Sequence, residues 1–191
     1  MTVTYRTMSA TVLAGALLMT PASPSGQAAA EVFTATAAVK GAGGASANAP
    51  VTITIDRKMP QSEAEALVAA FKTGGAAALR KGLAGAKPTG TVKIGAGTAT
   101  TTRFTLERAT GDGRLLTIVS DQPMLFLGAG MPGAKPKEGY DFAVLDLVLD
   151  AKGNGSGTIA PAAKIRLNQD AFVVEDYGVE VVRLTDIKKT N

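Results

Sequence analysis

Phe142-Ala143-Val144-Leu145-Asp146-Leu147-Val148-Leu149 is the stretch that decides the fold. Read with the two-residue period of a strand, Leu145, Leu147 and Leu149 line one face, and Phe142, Val144 and Val148 share the other with Asp146. A strand wetted on one side alternates apolar with polar. This one is apolar on both faces, so both must be covered. Leu115-Leu116-Thr117-Ile118-Val119 repeats the pattern. Asp146 is the only charge inside the stretch. Burying it costs free energy unless it is paired, so it is expected either to meet Arg166 or Arg183 or to line a wet interior.

Outward from this stretch, strand-like runs alternate with turn residues. Glu31–Lys40 comes first, and Gly41–Pro50 reads as a loop. Val51–Ile55 puts Val51, Ile53 and Ile55 on one face and threonines on the other. Thr91–Gly95, Thr101–Arg108, Arg114–Ser120 and Met124–Leu127 follow. After Asp141–Leu149 come Gly157–Leu167, Phe172–Glu175 and Val179–Leu184. Gly111-Asp112-Gly113 and Gly153-Asn154-Gly155 offer the positive-φ positions of tight hairpins, and Tyr177-Gly178 another turn. Strands joined by such short turns are antiparallel neighbours, because parallel pairing needs a crossover of about a dozen residues or more.

One segment breaks the β pattern. After Pro60, Ser62-Glu63-Ala64-Glu65 has the spacing of a capping box. Leu67, Ala70 and Phe71 then share a helical face, Gly74-Gly75 stops the helix, and Ala76, Leu79 and Leu83 mark a second one. The segment is expected to form a helical hairpin over about 61–84, laid on the outside of the sheet. The fold class is α+β: mostly antiparallel β, a curled sheet or partly open barrel or sandwich, with one helical hairpin.

Residues 1–30 read as a secretory signal peptide. Arg6 supplies the positive end, Ala10–Met19 the apolar run, and Ala28-Ala29-Ala30 the small-residue cleavage site. The apolar run is about half the roughly 20 residues that a bilayer span needs. The expected product is residues 31–191 as a single β-rich domain, periplasmic or secreted, without a membrane span. The chain of 191 residues contains no Cys, no His and no Trp. Disulfides, thiol nucleophiles, imidazole bases and Cys or His metal ligands are therefore closed to it, and no cofactor or metal is expected. The formal net charge is only +4, and Arg80-Lys81, Lys135/Lys137 and Lys188-Lys189 are isolated groups. Nothing here makes the basic stripe of a nucleic-acid binder.

Several motifs resolve into plainer readings. Gly128-Ala129-Gly130-Met131-Pro132-Gly133 matches G-x-G-x-x-G, but Pro132 and Pro136 prevent the helix whose amino end would hold a pyrophosphate. Residues 128–139 are expected to be a mobile loop, or a lid with Met131 at its apolar tip. Asp150 to Gly157 resembles a calcium loop, yet Lys152 stands where a carboxylate belongs and Pro161 where the last ligand should be; a hairpin turn is expected. No Ser sits in G-x-S-x-G. Without His, a serine nucleophile would need a base such as Lys164, which reads as an outward strand residue. Asp56, Asp121, Asp141, Asp146, Asp150 and Glu175 leave open a hydrolase working with paired carboxylates.

The chain resembles a group of uncharacterised exported bacterial proteins of an acidobacterial type. The resemblance is carried by Ile55-Asp56-Arg57, Gly90-Thr91-Val92-Lys93-Ile94-Gly95, Ser120-Asp121-Gln122-Pro123, Tyr140-Asp141-Phe142, Ala163-Lys164-Ile165 and Glu175-Asp176-Tyr177-Gly178. It covers most of Val51–Ile187 and implies export and one domain, with no catalytic residue to carry over. The leading expectation is a non-catalytic exported module that binds a small apolar or amphipathic ligand between sheet and helices, or acts structurally in the cell envelope. Leu67, Phe71, Phe126, Met131, Phe142 and Val144 are the candidate pocket residues, and Asp146, Arg166 and Arg183 the polar ones. The alternatives are the carboxylate hydrolase and an envelope assembly protein that docks on its partner through a sheet edge.

Overall fold

The computed structural model describes residues 29–40, 46–124, 138–169, 171–177 and 181–191. The elements are β1 (Glu31–Lys40), β2 (Ser46–Ile55), α1 (Gln61–Gly85), β3 (Gly90–Ile94), β4 (Thr100–Thr102) and β5 (Phe104–Ala109), then β6 (Gly113–Ser120), β7 (Phe142–Asp150), β8 (Gly155–Asn168), β9 (Ala171–Tyr177) and β10 (Val182–Lys189). The expected signal peptide, the 128–133 motif and most of the expected 128–139 loop lie outside the described residues.

Among the described residues every strand pairing is antiparallel. The order is β4-β3-β2-β1-β10-β8-β7-β6-β5, with β9 on the far half of β8. The two ends of this order are consecutive in the chain, separated only by Arg103. The Arg103 amide donates to the Val119 carbonyl at 3.0 Å and the Ser120 hydroxyl to the Thr101 carbonyl at 2.9 Å, which draws the ends together. The sheet thus curls into a nearly closed barrel. The single expected strand over Thr101–Arg108 is in fact β4 and β5, with the break where the chain changes partner from β3 to β6.

The alternation along β7 is the one the sequence implies. Ala143, Leu145, Leu147 and Leu149 point inward beside Leu116, Ile118, Ile159 and Leu184, in a barrel interior filled by side chains. Phe142 and Val144 point outward into a second apolar cluster beneath α1. Pro161 sits within β8, where it could break a ladder. It is tolerated because the β7–β8 register shifts between Phe142 and Val144, and its carbonyl instead accepts the Met124 amide at 2.9 Å.

The helical segment is one element that breaks at Gly75, whose φ of 62° and ψ of −155° are open essentially to glycine alone. The chain doubles back there. A Cβ built on Gly82 would lie 2.8 Å from Leu67 Cδ2, although fifteen residues of straight helix would separate the two by about 22 Å. The expected capping box does not form. The N-cap is Pro60, Ser62 lies inside the first turn, and Gln61 donates to Glu65 at 3.1 Å. Two further expectations are corrected. β2 begins at Ser46, inside the expected loop over Gly41–Pro50. Of the described hairpin glycines only Gly153 takes positive φ, at 82°; the β5–β6 turn instead closes with the Thr110 amide donating to the Gly113 carbonyl at 2.9 Å.

Candidate functional site

β8 runs on past the start of β7, and beyond Ala163 it pairs with β9. This two-stranded arm leans on the helical element. Phe172 of β9 packs edge-on against Phe71 of α1, with ring centroids 5.8 Å apart, and against Phe104 of β5 at 5.4 Å. Helix, arm and the outer faces of β5 and β6 enclose a groove of about 290 Å3. Its floor is Phe104, Leu106, Arg108 and Thr117. One wall is Ala64, Val68, Ala69 and Lys72 of α1 with Gln61 and Glu65 at the end, and Ala171 and Phe172 form the other.

Asp146 stands beside this floor, directly opposite Thr117 in the β6–β7 register. The Thr117 hydroxyl donates to its Oδ1 at 2.7 Å. Burial pushes the carboxyl above its usual range, while the Thr117 bond and the charge of Arg108 pull it partly back. Neither expected partner is found: Arg166 and Arg183 are exposed and make no bond to Asp146. Arg183 shares its sheet row, but Thr158 lies between them. Nor does Asp146 face the interior; the pleat turns it outward, away from Leu145 and Leu147.

The expected pocket residues divide. Phe142 and Val144 pack under the helix in the second apolar cluster and do not line the groove. Leu67 is buried in the same cluster, and Phe71 packs at its margin. Phe126 and Met131 lie outside the described residues. The residues that line the groove and were not singled out include Phe104, Leu106, Arg108 and Phe172. The signal was present, since Phe104, Leu106 and Arg108 alternate along one expected strand.

A second polar site closes one end of the barrel. Arg114 meets Glu31 at 3.1 Å and Glu107 at 2.9 Å, and its guanidinium lies 5.9 Å from the Phe33 ring centroid. Lys58 reaches Glu107 at 2.6 Å and Lys189 reaches Glu31 at 3.3 Å. A recess of about 470 Å3 opens beside them. Burial pushes both carboxyls up, but Arg114 and Lys58 outweigh it, with Lys189 adding at Glu31, and hold both below the usual range.

The other carboxylates are dispersed. Asp141 pairs with Arg80 at 3.2 Å and Asp121 with Arg103 at 3.4 Å. Asp150 accepts the amides of Lys152 and Asn154, both at 2.8 Å, and so closes the hairpin turn where a calcium loop was weighed. Lys164 lies 5.1 Å from the Tyr140 ring centroid, and the Tyr140 hydroxyl donates to Asp176. Among the described residues no group of His, Cys, Asp or Glu is arranged to hold a metal, and no helix is long and apolar enough to cross a membrane. No protein-family model, curated protein or solved structure matches the chain.

Proposed function

We propose that the chain is an exported, non-catalytic module that binds a small amphipathic ligand in the groove between α1 and the outer faces of β5 and β6. The observation that carries this reading is the lining itself. Val68, Phe104, Leu106 and Phe172 supply apolar surface, Arg108 supplies a cationic group at one end, and Thr117 a hydroxyl beside Leu106. A concave, mostly apolar site with a few polar groups is the usual form of a small-molecule cleft, and about 290 Å3 falls at the lower end of the size range. The barrel interior, by contrast, is occupied by its own side chains.

The test uses the neutral fluorophore N-phenyl-1-naphthylamine. Saturable fluorescence enhancement is expected with the purified chain, and its loss in Leu106→Trp, which fills the floor, with the far-UV spectrum unchanged. No enhancement in the parent, or equal enhancement in the variant, would sink the reading. A second reading is favoured by one observation: β9 pairs with β8 alone among the described strands, leaving its other edge without a strand partner. Docking through that edge predicts concentration-dependent sedimentation that Val173→Pro abolishes.

A further inference from the structure

Resting on that binding reading, we propose that the groove takes a free, single-chain amphiphile with a carboxylate head, the head on Arg108 and the chain along Leu106, Phe104 and Val68. Phe104, Leu106 and Arg108 all line the groove at two-residue spacing along β5, so the floor runs about 14 Å from apolar to cationic. The deep end is shut where Phe172 meets Phe104. The Arg108 end is open, because Arg108 is exposed. A site graded this way orients an elongated ligand with its tail inward and its head at the mouth.

The sign of the head follows from what the charged groups already do. Among the described residues the Arg108 guanidinium makes no hydrogen bond or ion pair, and Asp146 feels its charge only at a distance. Glu65 accepts the Gln61 amide and Asp146 the Thr117 hydroxyl, both neutral donors. A cationic head would be repelled by Arg108, whereas a carboxylate gains a charge-assisted hydrogen bond from the arginine. The small volume admits one chain more readily than the two chains of a membrane lipid.

The experiment displaces N-phenyl-1-naphthylamine with decanoate, decanol and decylammonium, each below its micelle concentration. Decanoate is expected to displace the probe at about five- to tenfold lower concentration than decanol, with decylammonium weakest. Arg108→Gln should erase the preference for decanoate over decanol. Equal potency of the three, or a preference for decylammonium, with the probe still bound, would overturn the carboxylate assignment and leave the binding reading standing. Failure of the probe to bind overturns both. Arg108-dependent cosedimentation with phosphatidylglycerol vesicles, together with no preference for decanoate, would overturn the proposal in favour of a lipid headgroup.

Discussion

The inside of the barrel and the space under the helix are built by alternate residues of the same strands, yet one is filled and the other is not. On β7 the inward Leu145, Leu147 and Leu149 are no more than 2% exposed. The outward series begins buried with Phe142 and Val144, continues through Asp146, and ends with Val148 at 55% exposed. The curl of the sheet surrounds inward residues on every side, so their packing needs only suitable volumes. Outward residues are covered only as far as the helix and the β8–β9 arm reach. The groove lies where that cover ends, and Asp146 marks the boundary. Open space in this fold is therefore a property of incomplete cover outside the barrel.

The largest expected effect tests the filled side. Leu145→Ala should cost about 3–4 kcal/mol in urea unfolding, because the closed interior cannot collapse around the missing atoms. Val68→Ala, on the groove wall, should cost about 1 kcal/mol, since a Val there already borders open space. If the two losses were equal, the contrast between packed interior and open exterior would fail.

Gly75→Ala is the next step down. The backbone at Gly75 adopts a conformation that disfavours any side chain by about 1–3 kcal/mol. The break is also what brings Leu79 and Leu83 back onto the cluster that holds Leu67 and Val68. A lowered melting temperature together with weaker naphthylamine binding is expected. A melting temperature equal to the parent's would mean that the turn at Gly75 is easily replaced and the cover does not depend on it.

How much of this was legible in the sequence depends on the range of the interaction. The inward and outward sets of β7 could be read from eight residues, because the pleat alone decides them. The helix stop at Gly74-Gly75 was likewise a local signal. The break at Arg103 was not, because only the meeting of the sheet's two ends makes one strand change partner there. The groove followed the same rule. Leu67 and Phe71 were read as helix-face residues, and that face exists; but whether Phe142 and Val144 would be roofed over, and Leu106 and Arg108 left open, depends on how far α1 and the arm reach. The partner of Asp146 was missed for a related reason. Thr117 is 29 positions away and lies opposite only through the β6–β7 register, whereas charge pairing in the sequence points to arginines and not to a hydroxyl.

The smallest effect is the most specific, because its sign differs between the outer face of the sheet and the end of the barrel. The folded pKa of Asp146 is raised by burial. Its contribution is therefore fully favourable below the unfolded value near 3.8 and is lost as pH rises through the raised folded value. At neutral pH the ionised carboxylate is a cost, and Asp146→Asn, which keeps an oxygen for Thr117 to donate to, should stabilise the fold by less than about 1 kcal/mol once partial exposure is allowed for. The gain should vanish below pH 3.8. Glu31 at the barrel end runs the other way. Its pKa is lowered, so its contribution is present above the unfolded value near 4.5 and is lost as pH falls through the lower folded value. Glu31→Gln should therefore destabilise at neutral pH and become neutral in acid. Urea midpoints of the two variants between pH 3 and pH 8 should move in opposite directions from the parent. A loss of stability at neutral pH in Asp146→Asn would mean that Arg108 already holds the carboxylate firmly, and the guanidinium would then not be available to a ligand.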